Sequence, residues 1–177
     1  WTKQLGSSAD DYGNGVAVDS SDNIYVTGST NGKLFSKNSG IYDIFLVKYN
    51  SSGTKKWTNQ LGTSTVEHAY AVATDSSDNV YVTGITWGGL DGSTKPNYCN
   101  KATVKASNEC TDIFLVKYNS SGTKQWTKQL EAPSLSYERS QGLAVDSSDN
   151  IYVTGYTNGG LDSNTNSGGH DIFLVKY

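Results

Sequence analysis

The chain has 177 residues, with 14 Lys and Arg against 17 Asp and Glu, a formal charge of −3 and an isoelectric point near 5.3. That balance speaks against an electrostatic grip on nucleic-acid phosphates or anionic lipid, and no apolar run approaches the roughly 18 residues of a membrane-inserting helix. The length fits one domain, residues 1–177, and a chain that begins at Trp1 and holds no Met is expected to be a processed or trimmed product.

In chain order, the first element is the strand-like Trp-Thr-Lys-Gln-Leu of residues 1–5, termed D. Gly-Val-Ala-Val-Asp at 15–19 (A), Ile-Tyr-Val-Thr-Gly at 24–28 (B) and Asp-Ile-Phe-Leu-Val-Lys-Tyr at 43–49 (C) follow, and then D returns at 57–61. The same order recurs with A at 71–75 and 142–146, B at 80–84 and 151–155, C at 112–118 and 171–177, and D at 126–130. These segments are rich in Val, Ile, Tyr, Phe and Thr, are bounded by Gly, Asn, Asp and Ser, and show no helical period, so the chain is expected to be all-β. The repeats run over about 6–62, 63–130 and 131–177, with 1–5 added to the last. The second unit carries an insertion, with 27 residues between B and C against 14 and 15 in the others.

The A to B link Ser-Ser-Asp-Asn and the C to D link Asn-Ser-Ser-Gly have turn chemistry, which predicts A-B and C-D hairpins. Asp22, Asp78 and Asp149 stand in the turn where Gly is expected, at a small conformational cost. Phe-Leu-Val in C is apolar at consecutive positions, so both faces of that strand should be covered. The small residues of A (Gly15, Ala17 and their counterparts) suit a crowded inner strand.

The runs D-S-S-x-N-I-Y-V-T-G (Val for Ile in the second unit), D-I-F-L-V-K-Y-N and S-G-x-x-x-W resemble the bacterial SBBP repeat. The resemblance covers nearly the whole chain. It implies a β-propeller of four-stranded antiparallel blades, three per chain, in a secreted or bacterial cell-surface protein, and it implies no single activity. Residues 1–5 are expected to supply the outer strand of the C-terminal blade, because an unpaired edge is a liability. Three arrangements satisfy this: a homodimer forming a six-bladed ring, an excerpt of a longer propeller, and a three-bladed ring closed on itself.

Several clusters have plainer readings. The Asp-Ser-Ser-Asp-Asn runs fit turns better than metal sites, and residues 162–168, with alternating oxygen ligands, lack the bidentate Glu and correctly placed Gly of a calcium loop. Asp11, Glu67 and Glu138 align once per unit, which favours structure over paired-carboxylate chemistry. Cys99 and Cys110, both in the insertion, suggest a disulfide and an oxidising compartment. No metal or cofactor is expected, and no nucleophile motif accompanies His68 or His170, so the chain is expected not to be an enzyme.

The candidate site comes from comparing the repeats with one another. Residues that keep the pattern are framework; those that break it lie on the D to A and B to C connections, which emerge on one rim of an antiparallel blade. On that rim the candidates are Trp87, Tyr98, Tyr137, Arg139, Tyr156, His68 and Tyr70. Aromatic residues on loops carry binding energy out of proportion to their number. The expected function is therefore a non-enzymatic binding or adhesion scaffold for a protein partner, with a lectin-type propeller that binds glycans as the alternative.

Overall fold

The computed structural model describes residues 1–36, 38–93, 111–131 and 136–177. The first sheet holds β1 (Asp11–Val18), β2 (Ile24–Thr30), β3 (Asp43–Tyr49) and β4 (Lys55–Leu61), and the second holds β5 (Glu67–Thr74), β6 (Val80–Thr86), β7 (Asp112–Tyr118) and β8 (Lys124–Leu130). The third has β9 (Glu138–Val145), β10 (Ile151–Thr157) and β11 (Asp171–Lys176). Every pairing is antiparallel and spatial order follows chain order, which is the meander of a propeller blade. One short 3₁₀ turn, Leu90–Gly92, departs from the expected absence of helix.

The expectation that both faces of segment C are covered holds fully in the middle sheet. Ile113 and Leu115 of β7 enter the core shared with the third sheet, while Phe114, Val116 and Tyr118 enter the core shared with the first. All five are nearly inaccessible to solvent, each contributing about 1.5–3 kcal/mol of apolar burial. A hydroxyl ties B to C in every blade, buried in the first two: Thr27, Thr83 and Thr154 donate through Oγ1 to the carbonyls of Phe45, Phe114 and Phe173 at 2.7, 2.7 and 2.8 Å.

The A to B turns form as the sequence implies, with one addition. Asp75 accepts from the amides of Ser77 and Asn79, the Asn79 side chain and the Tyr81 hydroxyl, and pairs with Lys117 at 3.7 Å. Asp19 has the equivalent bonds and Lys48 at 3.4 Å, and Asp146 repeats the hydrogen bonds. Asp22, Asp78 and Asp149 adopt φ of 60°, 58° and 60°. An Asp serves better than Gly here because its carboxylate reaches the preceding blade. Ser20 donates through its amide and hydroxyl to Asp78, and Ser76 does so to Asp149.

Two expectations change. The third sheet has three strands rather than four, and residues 1–5 are not paired with β11 within this chain. Trp1 instead donates its indole N–H to the Ser51 carbonyl at 3.3 Å and lies over Gly53, whose φ of 76° leaves room for the ring. Trp57 of β4 treats the second blade identically, with Nε1 to the Ser120 carbonyl at 3.2 Å and its ring over Gly122. Residues 1–5 therefore take the seat against the first blade that an outer strand of a preceding blade would take. The physical reason is geometric: the middle blade packs against both others, and among the described residues no interface of similar size joins the first to the third.

Candidate binding site

Each A strand bulges at one position near its start. In β1 the register shifts between Gly13 and Gly15, in β5 between Ala69 and Ala71, and in β9 Gly142 and Ser140 oppose adjacent residues of β10. A bulge bends its strand and redirects a side chain. The partner strand accommodates it with glycine: a Cβ on Gly28, Gly84 or Gly155 would stand 1.8–1.9 Å from the carbonyl oxygen of Tyr12, His68 or Arg139. Those three carbonyls belong to the aligned residues that break the sequence repeat at the rim. The framework thus brings in the backbone of the variable position, leaving its side chain free to differ.

The rim is also registered between blades. Tyr42 forms a parallel bridge with Val66, and Thr111 with Tyr137, so each B to C connection lies along the D to A connection of the next blade. Just inside, Glu67 is fully buried and accepts from Thr63, Thr65 and Thr86 hydroxyls at 2.6, 3.1 and 3.0 Å. Asp11 and Glu138 take Ser7 and Thr157 hydroxyls in the same place. The aligned acids are occupied in holding the rim loops, as their repetition suggested.

Five of the predicted residues converge. His68 packs on Tyr70 with ring centroids 6.2 Å apart, and the Arg139 guanidinium stacks on Tyr70 at 4.3 Å from the next blade. Tyr137 is flanked by Arg139 and by the Tyr156 hydroxyl, its ring 5.9 Å from that of Tyr156. Three residues missing from the predicted set extend the line. Tyr12 packs on Tyr42 at 6.3 Å, Tyr42 in turn on His68 at 5.1 Å, and His170 stands edge-on to Tyr156 at 5.1 Å. Their signal was in the sequence, since Tyr12 aligns with His68 and Arg139, and Tyr42 with His170.

Trp87 sits beyond the end of β6, its amide bonded to the Val66 carbonyl, and makes none of these ring contacts among the described residues. Its indole N–H is buried without an acceptor. Tyr98, Cys99 and Cys110 lie outside the described residues, and with them the disulfide. In the 162–168 loop the Asn164 and Asn166 amides donate to the Leu161, Thr157 and Gly169 carbonyls, and these asparagines serve the loop's own backbone.

Burial and the Arg139 charge hold the His68 imidazole below its ordinary pKa, and its Nδ1 meets the Ser29 hydroxyl of the first blade at 2.9 Å. Burial raises the phenol pKa of both Tyr70 and Tyr137, with Arg139 acting in the opposite sense. At neutral pH Arg139 is therefore a fixed cation beside the neutral rings of His68, Tyr70 and Tyr137.

Two curated proteins share this pattern. An uncharacterized WD repeat-containing protein L264 of Acanthamoeba polyphaga mimivirus is 32% identical over 142 residues, covering 77% of this chain and 10% of the viral protein. The regulatory protein FlaEY of Caulobacter vibrioides is 29% identical over 141 residues, covering 78% of this chain and 14% of its own length. The chain thus spans only about a tenth to a seventh of these relatives, and one of the two is viral, so a bacterial source does not follow from them. A family model described as a β-propeller repeat, SBBP, matches residues 1–36, 56–91 and 125–162, more than half the chain and one match per D-A-B run. With three meander sheets joined by the same turns and outer-strand contacts, the chain belongs to the SBBP β-propeller repeat family.

Proposed function

We propose that this chain forms part of a non-enzymatic interaction scaffold, secreted or at a cell surface, that binds a protein partner through the rim of D to A and B to C connections. One observation carries the reading: the side chains that break the internal repeat form a continuous line of packed rings across all three blades. Framework divergence alone would scatter such residues. The kinship with a WD repeat-containing protein and a regulatory protein supports a scaffold role. The lectin reading is weaker, because a lectin built from repeats presents one like pocket per blade, whereas the aligned rim position holds Tyr12, His68 and Arg139 in turn. Photo-crosslinking amino acids placed at Tyr137 and, on the opposite rim, at Ser121 test it in the presence of candidate partners: crosslinks should form from position 137 alone. Crosslinking from position 121 alone would overturn it, and glycan-array binding lost in Tyr156→Ala would favour the lectin.

Ring closure is proposed on the same footing. The face of the third sheet takes a further blade, from another copy or further along a ring, because Ile172 and Leu174 stand 90% and 70% exposed where Ile113 and Leu115, covered by the next blade, are 2% and 1%; the edge of β11 then takes an outer strand of the Trp-Thr-x-Gln-Leu type. A two-copy ring sediments as a dimer that dissociates when residues 1–5 are removed. An unchanged monomer before and after removal excludes the dimer.

A further inference from the structure

Arg139 is the only arginine in the chain. Lys48, Lys117 and Lys124 each pair with an aspartate, whereas Lys55, Lys128 and Lys176 rest over rings as Arg139 does but lack its planar fork of donors. Among the described residues no carboxylate lies within ion-pair distance of Arg139. Its guanidinium rests on the Tyr70 ring at 4.3 Å, beside the Tyr137 phenol, and its Nε is covered by protein with no acceptor. A planar guanidinium presents a fork of donors that matches a carboxylate in two parallel bonds, and here stacking fixes the plane while leaving the fork's outer edge without an acid. The half-buried tyrosines around it displace water, which strengthens a charge pair formed there.

We propose that Arg139 is the anchor for an aspartate or glutamate side chain of the protein partner, received at the joint between the second and third blades. This rests on the rim being the binding surface. A protein acid fits better than an acidic sugar because the guanidinium is unique to one blade joint, with Tyr12 and His68 at the aligned positions of the other blades, so no pocket repeats from blade to blade as in a lectin built from repeats. Arg and Tyr packed together are also the residue types that dominate protein-binding hot spots. The anchor exists only in the folded stack, since Tyr70 comes from β5 and Arg139 from β9.

Because the arginine is unique, a nitrogen-15 spectrum of the intact chain carries a single arginine Nε–Hε signal, a direct reporter of this group. The probes are N-acetyl-glutamate methylamide, its glutamine counterpart, glucuronate and sodium chloride at matched ionic strength. The expected result is a saturable shift with the glutamate probe and binding about tenfold weaker with the glutamine probe, a difference of about 1.4 kcal/mol. An equal response to chloride overturns the proposal by showing an adventitious ion only, and tighter binding of glucuronate overturns it in favour of an acidic sugar. Random displayed peptides selected on the folded chain give a second readout. They should be rich in Asp and Glu and bind Arg139→Gln about tenfold more weakly, with Arg139→Lys intermediate, in variants whose melting temperature is unchanged. Peptides that need Tyr137 but neither acid nor Arg139 overturn this inference and leave the rim reading intact. Peptides that compete only at the A to B turns overturn both.

Discussion

At the scale of single residues, the turn aspartates carry more of the fold than their exposed neighbours suggest. Asp75 satisfies two amides, a side-chain amide and the buried Tyr81 hydroxyl. Asp75→Ala leaves these donors unmatched and should cost roughly 2–3 kcal/mol, read as a lower urea midpoint with an unchanged slope. The same bonds set a pH dependence. Burial acts to raise the pKa of Asp19 and Asp75, but hydrogen bonds from Asn23 and Asn79, from Tyr25 and Tyr81, and from turn amides outweigh it and hold both carboxyls below the usual range. In Asp146 the Asn150 bonds dominate and bring the pKa to about 2. A carboxyl with a lowered folded pKa contributes stability that is present above its unfolded value near 3.9 and is lost as pH falls through the folded one. The melting temperature should therefore hold down to about pH 5 and fall steeply below about pH 4, and Asp146→Asn should flatten the part of that fall nearest pH 2.

Among elements, the bulged inner strand and its glycine partner form the unit that positions the rim. Gly155→Ala would drive a methyl group into the Arg139 carbonyl, 1.9 Å from the ideal Cβ. Such overpacking should cost about 2–3 kcal/mol and displace the Arg139 side chain, visible as a moved Nε signal alongside the lower melting point. Strand identity was legible in the sequence because Tyr-Val-Thr-Gly and Ile-Phe-Leu-Val recur in all three units at fixed offsets from turn residues, as does the Ala of Val-Ala-Val, Val-Ala-Thr and Leu-Ala-Val. The rim was legible as the set of positions where the repeat fails. What single-residue comparison could not give was contact across blades: Arg139 on Tyr70, or Tyr42 on His68, joins residues that are not equivalent in the repeat. The bulges were equally silent, since the extra residue is an amide in Asn14 and Gln141 but a phenol in Tyr70.

For the molecule as a whole, one heptapeptide meets three environments. Ile113, with a blade on either side, is 2% exposed, whereas its counterpart Ile172 is 90% exposed. Ile113→Ala should cost about 3 kcal/mol and Ile172→Ala less than about 0.5 kcal/mol in dilute solution, where nothing covers the last sheet. Equal costs in chemical denaturation would mean that β11 is covered by another copy under those conditions. Ile172→Lys should then separate the copies without unfolding them.

The serine to aspartate bonds at the A to B turns also govern how the stack can move. Ser76 grips Asp149 through amide and hydroxyl together, and toward the other rim the same two blades are bonded again, where the Thr111 hydroxyl donates to the Glu138 carbonyl at 2.6 Å and accepts from the Glu138 amide at 2.9 Å. Directional bonds at both ends resist sliding and pivoting alike, so the second and third blades should move as one piece, like two pages stitched at head and foot. Spin-label pairs at positions 77 and 148 and at 87 and 158 should show equally narrow distance distributions. A partner seated across Tyr70 and Tyr137 then meets a surface whose shape is set before it arrives.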